Sequence, residues 1–85
     1  MTISYSQKLT ILKSIFQQQE ITQAQQEKGY LESWSKQNWY QVKIDLQTLQ
    51  MYTDNSAAAA NFVKSLDLIR RKAVILAFLQ SNAIS

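Results

Sequence analysis

Apolar residues in this chain recur at steps of three and four over most of its length, the spacing of helices that bury one face. Tyr5, Leu9, Leu12 and Phe16 set the first stripe, and Ile11 and Ile15 widen it. Ser4 and Gln7 stand just ahead of it at capping-box spacing, where a hydroxyl and an amide satisfy each other's orphan backbone donors. After Phe16 the apolar content thins to Ile21 and Ala24 within QQQEITQAQQEK. Gln is a good helix former, so the helix is expected to run on to about Lys28 and to stop at Gly29, the residue type that most often ends one. A competing start at the weaker box Thr22–Gln25 would break it near residues 20–22.

The pattern resumes with Leu31 and Trp34, then Trp39, Val42, Leu46, Leu49 and Tyr52. Tyr40, Val42, Ile44 and Leu46 also alternate with polar residues as a half-buried strand would, but the helical spacing runs longer and decides for helix. Glu32 precedes Lys36 by four residues, the favourable order for a helical ion pair. Thr53, Asp54, Asn55 and Ser56 favour turns and helix N-caps. Four alanines then open a last helix with Phe62, Leu66, Ile69, Ala73, Leu76 and Ala77 along one side.

These elements predict an all-α fold, a small antiparallel three-helix bundle with helices over about 4–28, 30–53 and 56–81 in one domain spanning 1–85. It becomes four helices if the first is broken near residues 20–22. A last helix over 56–81 would be about 39 Å long at 1.5 Å per residue. The chain has no Pro and only Gly29, so no strong interrupter forbids long helices.

Composition narrows the chemistry. The 85 residues include no Cys and no His, which removes disulfides, thiolate metal sites, the commonest general base at neutral pH and every Ser-His-Asp or Cys-His arrangement. Glu20 and Glu27 share a helical face but Glu27 and Glu32 do not, and one glycine cannot build a phosphate-cradling loop. The expectation is a protein that is not an enzyme, with no catalytic residues, no cofactor, no metal and no small-molecule substrate. Lys8 and Lys13 interrupt the apolar start and no small-residue cleavage site follows, so a signal peptide is not indicated. No apolar run approaches the roughly 20 residues that span a bilayer. The expected location is the cytoplasm, without membrane insertion.

The net charge of +3 is unevenly placed. Residues 1–55 balance five lysines with five carboxylates, whereas in residues 56–85 Lys64, Arg70, Arg71 and Lys72 face Asp67 alone. Consecutive helical residues lie about 100° apart, so Arg70, Arg71 and Lys72 fan over some 200° and form a collar rather than a stripe. Asp67, three and four residues earlier, is placed to pair with part of it. An outward collar would supply salt-dependent contacts to phosphates, which makes Lys64, Arg70, Arg71 and Lys72 candidate nucleic-acid contacts. Ala73 to Leu79 follows with no polar residue. Either this helix is central, or Val74, Ile75, Phe78 and Leu79 leave a patch that a partner covers; the patch is the favoured reading, with a second copy as the simplest cover.

A second candidate surface is GYLESWSKQNWY, where Tyr30, Trp34, Trp39 and Tyr40 fall within eleven residues. Trp and Tyr are frequent energetic anchors of interfaces, although aromatic rings are equally ordinary core residues. Base stacking with Lys28, Lys36 and Lys43 nearby is opposed by Glu27, Glu32 and Asp45. The functional expectation is a non-catalytic helical interaction module, acting as an adaptor, a small regulator or inhibitor, or a small subunit of a larger assembly, with a protein partner or a second copy. The alternative is a small subunit that binds nucleic-acid backbone in a ribonucleoprotein such as a CRISPR effector complex, an analogy of architecture only.

Overall fold

The computed structural model describes residues 3–81, and all of their regular structure is helical. Six helices follow one another among these residues: α1 (Tyr5–Lys13), α2 (Gln18–Gln26), α3 (Lys28–Gln37), α4 (Trp39–Met51), α5 (Ser56–Lys64) and α6 (Leu68–Gln80). The expected all-α class holds. The three long helices do not, nor does a single break near residues 20–22. The principal extents of 29 × 25 × 23 Å leave no room for a 39 Å helix.

Two of the breaks share one local cause. At Ser14 the amide and hydroxyl both donate to the Ile11 carbonyl, at 3.1 and 2.6 Å. At Ser65 the same two groups donate to the Phe62 carbonyl, at 3.0 and 2.5 Å. A hydroxyl that bonds back to a carbonyl of the preceding turn competes with helix continuation. Each serine follows a lysine and precedes Ile15 or Leu66, and the two caps have nearly identical backbone angles, φ −80, ψ −12 and φ −78, ψ −12. Asp67 then caps α6 by accepting from the Arg70 amide at 3.1 Å.

The joints α2–α3 and α3–α4 are single-residue bends at Glu27 (φ −97, ψ 21) and Asn38 (φ −123, ψ 31). Asn38 steadies its bend by donating from Nδ2 to the Trp34 carbonyl at 2.9 Å. Gly29, expected to end a helix, lies inside α3 without a positive φ. The cap expectations succeeded at other points. Ser4 and Gln7 form the reciprocal box, and Asn55, in the predicted turn, accepts from the Ala58 amide at 3.1 Å.

Short helices allow what long ones could not, namely a last helix enclosed by the rest. α6 packs against α1, α2, α3 and α4. Ala73, Val74, Ile75, Leu76, Phe78 and Leu79 are all buried, with Val74, Ile75 and Phe78 fully so. The expected partner-covered patch of Val74, Ile75, Phe78 and Leu79 is therefore core, because helices close around α6 on sides that a three-helix bundle would leave open. Fully burying each large side chain contributes roughly 1.5–3 kcal/mol, and this segment supplies three of them. Leu12, Ile21, Leu31 and Leu49 bring one fully buried residue each from α1, α2, α3 and α4 into the same core cluster.

Lys8 closes the C-terminal end of α6. It is buried, and its ammonium donates to the carbonyls of Leu79 (3.4 Å) and Ser81. Carbonyls left over at a helix C-terminus carry partial negative charge, so a cation is favourably placed there.

Candidate functional site

The collar at the start of α6 turns inward. Arg70 grips Asp45 of α4 with two bonds, Nε to Oδ2 at 3.1 Å and Nη2 to Oδ1 at 2.9 Å, while Gln41 donates to the same carboxylate at 3.0 Å. Arg71 reaches Glu20 of α2 at 3.0 Å and the Leu66 carbonyl at 2.7 Å, bracing the α5–α6 joint. Lys72 reaches Glu27, at the α2–α3 bend, at 2.7 Å. The 200° fan thus directs three neighbouring cations to carboxylates in three different places. Asp67 forms no side-chain ion pair with them; it serves as an N-cap. The hydrogen bonds that Arg70 donates to Asp45 hold the guanidinium pKa above its ordinary value, so the pair keeps its cation across all ordinary pH.

Arg70, Arg71 and Lys72, three of the candidate nucleic-acid contacts, are thus each paired with a carboxylate on another helix or at a helix joint. Lys64 alone of that set is exposed, lining a small cleft of about 250 Å³ with Glu20 and Arg71.

Of the candidate interaction residues, those on α3 and α4 remain outward. Tyr30, Trp39 and Tyr40 are 63%, 53% and 74% exposed, and Trp34 is half-buried. They do not form one cluster. By helical rotation Tyr30 lies about 160° around α3 from Glu32, with Trp34 on the same side as Tyr30. Trp39 instead faces a groove of about 680 Å³ between α3, α4 and α6. Its α4 wall is Trp39, Val42 and Leu46, its α6 wall includes Ala73, Leu76 and Ala77, and α3 supplies Glu32, Ser35 and Lys36. Small residues on α6 create the depth, since alanine side chains leave the space between two bulkier helices unfilled.

A further feature was missed in the sequence. Tyr40, Ile44 and Met51 are exposed and fall within about 40° of one another on the outer face of α4. Their spacing of four and seven residues was visible, but Ile44 was read only in the alternation with Tyr40, Val42 and Leu46. Lys43 lies between this stripe and Trp39, with its ammonium 5.9 Å from the Tyr40 ring centroid, within cation–π range.

Charge on this surface follows from the collar. Lys28, Lys36 and Lys43 are exposed, whereas Asp45 is buried beneath Arg70 and Glu27 is paired with Lys72. Glu32 is the remaining exposed carboxylate of α3 and α4, and it accepts from Gln80 at 3.1 Å. Among the described residues no group of three or more His, Cys, Asp or Glu gathers as a metal site would require. No helix of these residues is long and apolar enough to cross a membrane. Comparison with protein families, curated proteins and solved structures finds no match to this chain.

Proposed function

We propose that this chain is a non-catalytic protein-interaction module that meets its partner through α3, α4 and the groove beside α6. Within that class it serves as an adaptor, a small regulator or inhibitor, or a small subunit of a larger assembly. One observation supports the reading above others: Trp39, 53% exposed, lines an apolar groove, and Tyr40, 74% exposed, follows it on the outer face of α4. Exposed Trp and Tyr beside a pocket are the side chains that most often anchor an interface. The core does not need them, because it is complete without either ring.

The test is capture of partners from the native cell by tagged protein, with and without nuclease, using the parent chain and Trp39→Ala/Tyr40→Ala. A stoichiometric protein that survives nuclease and is lost with the double variant is the expected result. Retention of nucleic acid alone, or of proteins indifferent to both rings, would overturn the proposal.

A further inference from the structure

We infer that the groove between α4 and α6 takes a short, acidic, amphipathic helix of a partner protein. The inference rests on the interaction reading above and specifies the partner's chemistry. The first argument is one of size. The α6 wall runs from Ala73 to Ser81, eight steps of 1.5 Å or about 12 Å. A bound helix that inserts apolar residues at i, i+4 and i+7 spans about 10.5 Å, so three anchors fit along this wall. The apolar floor of Val42, Leu46, Ala73 and Leu76 suits aliphatic anchors and offers little to a sugar-phosphate chain.

The second argument is charge, and it comes from where the collar directs its partners. In sequence, α3 and α4 look nearly neutral, with Lys28, Lys36 and Lys43 against Glu27, Glu32 and Asp45 at or next to the two helices. In the fold, Asp45 is buried beneath Arg70 and Glu27, still 39% exposed, is paired with Lys72, leaving three exposed lysines and Glu32 outside these two pairs. Lys28, Glu32 and Lys36, spaced by four residues, form one ridge of α3 on the groove side. Lys43 flanks Trp39 on the opposite lip. Lys36 lines the groove beside Glu32, with Lys28 further along α3 and Lys43 next to the α4 wall. The surface around the groove therefore carries three lysines to one carboxylate not paired with a lysine, and an acidic amphipathic helix meets more cation than anion there. Such complementarity steers association and selects partners.

The test selects peptides of about twelve residues, enough for three helical turns, from a randomised display library against the full chain, Ala77→Trp and Lys36→Glu/Lys43→Glu. Circular dichroism checks that the groove-filling variant folds; the lysines are exposed, so their reversal leaves the core intact. Enriched peptides should carry apolar residues at i, i+4 and i+7 with Asp and Glu outnumbering Lys and Arg. Their binding should vanish with Ala77→Trp and weaken roughly tenfold with the double charge reversal, the size expected from two or so surface ion pairs turned repulsive. Groove-dependent peptides that are neutral or basic would overturn the acidic assignment and leave the interaction reading standing. If no enriched peptide is sensitive to Ala77→Trp, the groove is not the site, and the interaction reading then depends on the capture at Trp39 and Tyr40. A single-stranded oligonucleotide that binds more tightly than the peptides and is released by the same charge reversal would assign these lysines to phosphate instead and refute the inference.

Discussion

Replacing Arg70 with Met should destabilise the chain severely. Asp45 is 2% exposed and receives three hydrogen bonds, two of them from Arg70. Met keeps most of the aliphatic stem and removes the charge, so Asp45 would be left with Gln41 alone. Breaking a buried ion pair from one side costs about 3–5 kcal/mol, because the remaining charge is stranded away from water. Arg70 retains 31% side-chain exposure, so water can enter part of the vacated space and the loss should fall nearer 2–3 kcal/mol. An 85-residue chain has roughly 4–13 kcal/mol in all, so this is a large share. Urea unfolding followed by circular dichroism, at a slope near 1 kcal/mol/M, should show the midpoint falling by about 2–3 M. The double variant Arg70→Met/Asp45→Leu should recover most of the loss, since removing both charges leaves nothing stranded. A single variant within about 0.5 kcal/mol of the parent, or a double variant no better than the single, would refute the reasoning.

Other expectations follow from the same packing. Lys72→Ala should cost at most about 1 kcal/mol, because Glu27 is 39% exposed and its pair is partly screened, so unfolding midpoints should rank Arg70→Met well below Lys72→Ala. Gly29→Ala should raise stability by about 0.5–1 kcal/mol in the same assay, since an added Cβ meets nothing within 4 Å and the site is helical. Lys8→Met should cost about 1–3 kcal/mol by removing the ammonium from the Leu79 and Ser81 carbonyls, with loss of hydrogen-exchange protection concentrated at the end of α6. Phe78→Ala should cost about 3–5 kcal/mol, whereas Trp39→Ala, on an exposed ring, should leave the thermal midpoint nearly unchanged.

These contrasts mark what was legible in the sequence and what was not. The helical class was legible because apolar spacing of three and four is local, and so were the caps at Ser4 and Asn55. Three interior breaks were not, because there the chain bends at Ser14, Asn38 and Ser65 rather than at Pro or Gly. Lys13-Ser14-Ile15 and Lys64-Ser65-Leu66 would have been the signal, a repeated tripeptide with the same cap geometry. Missing those breaks misplaced the last helix, and with it Val74, Ile75, Phe78 and Leu79. The fan of Arg70, Arg71 and Lys72 was legible from helix rotation, but their partners lie 25, 51 and 45 residues away. Local spacing offered only Asp67, which caps α6. It follows that a triple alanine change at the collar tests folding first, and a loss of nucleic-acid binding on that change would not locate a contact.

We propose that a partner meets this fold at α3–α4 and the groove beside them. Site-specific photo-crosslinking in the native cell tests it most directly, with a benzophenone side chain placed at Trp39, Tyr40 or, as controls on other helices, Lys13 and Lys64. A discrete protein adduct from positions 39 and 40 and none from 13 and 64 is the predicted result. Adducts from the control positions alone, or nucleic-acid adducts from any of the four, would contradict it.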